Sequence, residues 1–142
     1  MSTVEIIFMI ILIGVGVICL LDLIVIDPLM ELISRAMTKK AKRLYPEFFN
    51  LLTQRDYIKI VEWKEASKRE KAFKYKIDEI REQLPYTPIE EINEKNMEIE
   101  VYKKKMLRAK TERVQYEIEM DRLTNQINKM AEGSKLLRKL DY

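Results

Sequence analysis

The chain has 142 residues, with 26 Lys and Arg against 23 Asp and Glu, one Cys and no His. Without His, and with the lone Cys19 inside an apolar run, Ser-His and Cys-His catalysis, the usual zinc sites and an intramolecular disulfide are excluded. Three Gly and four Pro leave few turns, and nothing after residue 27 alternates in the way a strand does, so an all-α chain is expected.

Residues 6–26 read IIFMIILIGVGVICLLDLIVI, 21 residues with a single charge at Asp22. At about 1.5 Å per residue this makes a helix of roughly 31 Å, which matches a hydrocarbon core of about 30 Å. Residues 1–27 are therefore expected to form a single transmembrane anchor. No Lys or Arg precedes the run and no small-residue cleavage site follows it, so the anchor is read as uncleaved. Gly14 and Gly16 are spaced G-x-G, not G-x-x-x-G, and are read as small residues facing lipid or a neighbour. Asp22, one turn before the inner edge, can snorkel to the interface, pair with a partner subunit, or handle a proton or ion. Directly beyond the anchor stand Arg35, Lys39, Lys40, Lys42 and Arg43, opposed only by Glu31. The positive-inside rule then puts the N-terminus outside and the C-terminal region on the cytoplasmic side of a single-pass integral membrane protein.

Residues 28–45 read as a basic amphipathic helix, capped by Asp27 with Pro28 in its first position. Leu29, Leu32, Ile33, Ala36, Met37, Ala41 and Leu44 share one face, and the five basic residues, candidates for contact with the membrane surface, share the other. The helix either lies in the plane of anionic headgroups or continues straight out of the anchor.

Tyr45-Pro46 predicts a break, because the residue before proline avoids the α region. Within 46–84, PEFFNLLTQ reads as a short helix and Asp56 as the cap of a charged helix from Tyr57 to about Leu84. The two form a small helical knot through Phe48, Phe49, Leu52, Ile58 and Val61, and the charged helix has a seam at Ala66, Phe73, Ile77, Ile80 and Leu84. Residues 85–88 read as a turn, with Thr87-Pro88-Ile89-Glu90 as a capping box.

From 88 to 132 a 3–4 spacing runs through Ile92, Lys95, Ile99, Tyr102, Met106, Ala109, Arg113, Tyr116, Met120, Leu123, Ile127 and Met130. Such a seam predicts a left-handed coiled coil, with Ile99, Tyr102, Met106, Tyr116, Met120, Leu123, Ile127 and Met130 as the interaction residues. Gly133 ends it, leaving a tail over 133–142 with Leu136, Leu137 and Leu140. A helix of 57–84 is about 42 Å long and one of 88–132 about 68 Å, so folding them into an antiparallel hairpin leaves about 25 Å of the longer one uncovered. Other protein subunits, or a second copy, are the partners expected to cover it. The part after Pro28 carries a net +6, from 26 basic and 20 acidic residues interleaved by sign. That reads as solvated helix faces, so no nucleic acid is expected as a partner, and no cofactor, metal or small-molecule substrate is evident.

The run IDPLMELISRAMTKKAKRL resembles the start of the b subunit of F-type ATP synthases. That resemblance implies an outward N-terminus and a cytoplasmic helical stalk that tethers a catalytic head to the membrane sector. It covers about 40 residues of the 142, and Pro46, Pro85, Pro88 and a total of only six Ala depart from an uninterrupted Ala-rich stalk. The order anchor, proline, amphipathic helix is similar to the small twin-arginine translocase subunits, whose Phe-Gly-Pro hinge is missing here. One anchor with a coiled coil is also similar to the phage inner-membrane spanins, which place the coil outside the cytoplasm, against the charge distribution of this chain. The sequence is assigned to none of the three. It is read as a non-catalytic, single-pass membrane-anchored coiled-coil subunit or scaffold that tethers a cytoplasmic-side assembly to the membrane. The alternatives are a lipid-surface adaptor that recruits a partner protein, a stalk-like subunit similar to ATP synthase b and, more remotely, a spanin.

Overall fold

The computed structural model describes residues 2–140 and 142. It is all-α, with no strand among the described residues. Helix α1 (Thr3–Leu21) passes through a π-turn (Asp22–Ile26) into α2 (Asp27–Leu44). Helix α3 (Pro46–Tyr57) passes through a second π-turn (Ile58–Trp63) into α4 (Lys64–Gln83), and a 3-10 turn (Leu84–Tyr86) leads to α5 (Ile89–Glu132). A last 3-10 turn (Leu137–Lys139) lies in the tail. The chain divides into two compact units, one of Met1–Pro46 with Ser134–Tyr142 and one of Glu47–Gly133.

In the first unit, Ser2 and Glu5 form a capping box at the start of α1: the Glu5 amide donates to Ser2 Oγ at 3.4 Å and the Ser2 amide to Glu5 Oε2 at 2.7 Å. The helix then runs from Thr3 to Leu44 without a stop, 42 residues or about 63 Å. The expected cap at Asp27 is absent, since no side chain caps α2. Proline inside a helix normally clashes with the carbonyl four residues back and leaves it without a donor. Here the preceding turn is widened, and the Asp27 amide bonds back to the Asp22 carbonyl, five residues away. The π-turn makes room for Pro28, and the helix continues. It ends at Tyr45, whose φ of −131° and ψ of 62° leave the α region before Pro46.

In the second unit, the segment 46–83 and α5 pack side by side and antiparallel. The order of contacts fixes the direction: Trp63 meets Glu117, Arg69 meets Glu112, Glu70 meets Arg113, Phe73 meets Tyr102, and Ile77 and Ile80 cluster with Ile99. Leu84, Tyr102 and Met106 pack on that cluster. No break occurs at Asp56, where helix α3 runs directly into the π-turn. The expected stop there fails because Leu52, Arg55 and Ile58 continue the inward face and are half-buried along with it. The segment is therefore 38 residues rather than 28, about 57 Å against 66 Å for α5, and most of the expected overhang disappears. Leu123 and Ile127 are 1% and 0% exposed.

The capping box expected at Thr87 does not form either. Thr87 Oγ1 donates to the Gln83 carbonyl at 2.9 Å and closes the preceding helix, while Pro88 occupies the cap position of α5 with φ −56° and ψ 144°.

Burial sets the scale of the packing. Leu123→Ala or Ile127→Ala should lower the stability of the Glu47–Gly133 unit by about 2–5 kcal/mol, while Leu107→Ala on the exposed side should change it by less than about 0.5 kcal/mol. Urea titration followed by helical circular dichroism measures both.

Candidate functional site

Two surfaces hold the residues singled out in the sequence. The first is the helix from Thr3 to Leu44. None of its apolar window is buried, and large apolar side chains from Val4 to Ile33 are exposed along it. It is long and apolar enough to cross a membrane. Its polar groups are not scattered. Five residues fill one π-turn, so Asp22 and Asp27 fall close to one face, with Glu31 one α-turn further. Arg35 continues that face and donates to Glu31 at 2.6 Å, an exposed i,i+4 ion pair. Arg35, Lys39 and Lys42 border a shallow groove with Ser34 and Thr38, and Lys39, Lys40 and Arg43 border another with Ala36 and Leu44. The two grooves adjoin at Lys39, so the five cations expected at the membrane surface lie on one broad side of α2. Cys19 is exposed on the apolar part.

The second surface is the seam of the helix pair. All twelve residues of the α5 spacing are buried or half-buried. Ile99, Tyr102 and Met106 belong to the cluster with Ile77 and Ile80. Tyr116 is half-buried, Met120 borders a groove with Arg55, Lys59 and Trp63, and Met130 borders another with Glu47, Asn50 and Leu51. The seam is therefore engaged within the chain. It is not the open stripe expected over Met120, Leu123, Ile127 and Met130.

At the middle of the seam stands a polar layer that the sequence hinted at only through Arg113. Arg113 Nε donates to Glu70 Oε2 at 2.7 Å, with both side chains about three-quarters covered, and Arg113 Nη1 donates to Glu117 Oε1 at 2.6 Å. Trp63 Nε1 donates to the same Glu117 oxygen at 2.9 Å. Glu70, Trp63 and Glu117 were not identified from sequence, because they lie on elements far apart in the chain and only the antiparallel register joins them. The Trp63 indole N–H, and then the Arg113 guanidinium, hold the Glu117 carboxyl below the usual carboxylate range. Hydrogen bonding by Glu70 and Glu117 raises the Arg113 guanidinium above its ordinary value.

No group of His, Cys, Asp or Glu among the described residues could hold a metal ion. The grooves beside the polar layer are open and shallow, with about 460 Å³ next to Trp63. No family model matches the chain, and neither does any curated protein or solved structure.

The polar layer makes stability depend on pH. A carboxyl with a lowered pKa in the folded state stabilises the fold at pH above its unfolded value of about 4.3, and that contribution is lost as pH falls through the lower folded value. The urea midpoint should therefore drop below about pH 4.3, and Glu117→Gln should flatten that part of the profile while lowering the midpoint at neutral pH.

Proposed function

We propose that this chain is a non-catalytic, single-pass membrane-anchored subunit or scaffold whose helix pair, a short antiparallel coiled coil or helical hairpin, tethers an assembly on the cytoplasmic side of a membrane. The observation that carries this reading is the 42-residue helix Thr3–Leu44, whose membrane-length apolar window is left uncovered by the rest of the chain, while only its far end around Ala41 is packed. In water such a surface far exceeds what a monomer leaves exposed, whereas lipid is its natural solvent. The basic residues from Arg35 to Arg43 support an orientation with α2 on the cytoplasmic side and the N-terminus outside. The continuity of the helix through Pro28 supports a rod that stands off the membrane over one that bends into its plane, which favours a stalk-like subunit as the second reading over a lipid-surface adaptor.

Alkaline carbonate should leave the full-length chain with the membrane pellet, and release into the supernatant would sink the anchor. In a Cys19→Ser background, Ser2→Cys should be labelled by an impermeant maleimide on intact cells and Lys135→Cys only after permeabilisation. A tagged chain extracted in mild detergent should keep its protein partners at high salt. An electrostatic recruiter would lose them as screening rises.

A further inference from the structure

The charges of the helix pair are grouped along the sequence, and the fold joins the groups into larger patches. Residues 64–76 hold six basic and two acidic side chains, and residues 103–113 hold six and one. The Arg69–Glu112 and Glu70–Arg113 contacts lay these two stretches beside each other, so they join into one belt with a net charge of +9. Towards the turn, residues 78–100 hold eight acidic and two basic side chains, a net −6. The opposite end, residues 47–63 with 117–133, has a net −3, so the Glu47–Gly133 unit is neutral as a whole.

Both main blocks reach the outward side of α5. Glu90, Glu94, Lys104 and Arg108 are exposed there, and their side chains make no hydrogen bond or ion pair. Between and beyond them the same side carries exposed apolar residues: Met97 at 65%, Val101 at 50%, Leu107 at 62% and Ile118 at 63%. Met97, Leu107, Val114 and Ile118 stand two residues before the seam positions Ile99, Ala109, Tyr116 and Met120, which puts them on the opposite side of the helix. The block centres are about 13 residues apart, or about 20 Å. That exceeds two screening lengths at physiological salt, so each acts as a separate patch.

We infer that two copies of this chain dock antiparallel through the outward side of α5, residues 90–99 of each lying against residues 103–112 of the other about a two-fold axis at Val101. A parallel in-register pair would set like charges against each other, which is destabilising. An antiparallel pair centred between the blocks matches acid to base twice, as an isologous interface does, and puts the exposed, apolar Val101 on the axis. A second copy fits this surface better than a nucleic acid or an anionic bilayer. Either of those, laid along the rod, would meet the acidic patches as well as the belt, and the neutral unit offers no long-range attraction. The docking does not depend on the membrane reading and can fail or hold independently of it.

Sedimentation of the full chain in a neutral detergent should give a dimer at about 0.05 M salt, with association weakened at least about tenfold near 1 M. Glu90→Lys/Glu94→Lys should be monomeric, and so should Lys104→Glu/Arg108→Glu. An equimolar mixture of the two variants should form a heterodimer, because the reversed blocks complement each other. In the Cys19→Ser background, Val101→Cys should form a disulfide-linked dimer under mild oxidation and Ile118→Cys should not. Far-UV circular dichroism checks that the variants keep their helix. Any of the following overturns the inference: a monomer at low salt, association indifferent to salt, reversal variants that still self-associate, a mixture that stays monomeric, no cross-link at Val101, or a monomer that binds duplex DNA or anionic vesicles instead.

Discussion

The antiparallel register between the segment 46–83 and α5 is the constraint from which the rest of the Glu47–Gly133 unit follows. Neither helix buries enough by itself to be stable, since isolated helices owe most of their stability in proteins to packing of an amphipathic face. Apolar contacts alone would tolerate slippage, because a heptad seam looks alike every seven residues. The polar layer removes that freedom. A shift of one heptad would set Glu70 against Met106 or Met120 in place of Arg113, leaving a partly covered carboxylate without its guanidinium. Such a pair adds little net stability over an apolar layer, but breaking it is costly, so its contribution is to select one alignment. Trp63 and Glu117 extend that selection to a second turn.

Much of this was legible in the chain. The 3–4 spacing on α5 named twelve inward positions, and all twelve are covered, since a periodic pattern of that length reports which face is dry whatever covers it. The stops at Tyr45 and near Pro85 were legible because proline acts on its predecessor through sterics that no tertiary contact relieves. Local capping signals were weaker guides. Asp27, Asp56 and Thr87 each have the chemistry of a cap, but at Asp56 continuing the helix keeps Ile58 and Trp63 facing α5, and that burial outweighs one hydrogen bond. At Thr87 the hydroxyl had two acceptable uses and closed the earlier helix. The partners of Arg113 were beyond sequence reading because a register between distant segments is a property of the pair, not of either helix.

Charge gains meaning from the same register. Counted over the whole polar part, acids and bases are mixed, which describes solvated helix faces. Folding back brings residues 64–76 and 103–113 together, both rich in Lys and Arg, and leaves the acids near the turn and at the far end. A neutral unit with separated patches and a neutral unit with mixed charge have the same composition and pI, yet only the first presents complementary surfaces to a copy of itself.

The features of the apolar helix line up with the same economy. From Phe8 to Leu21 it is regular α, with every backbone group past the first turn bonded within the helix, as hydrocarbon requires. All its irregularities gather at one end of the apolar run: Asp22, the π-turn, Asp27 and Pro28. Pro28 offers no N–H to the carbonyl of Ile24, a loss that costs several kcal/mol in the middle of a bilayer but little where interfacial water reaches it. Confining the irregularities there leaves the longest apolar stretch of the helix regular, and it sets the acidic residues of the π-turn next to the Glu31–Arg35 pair and the basic groove beyond it.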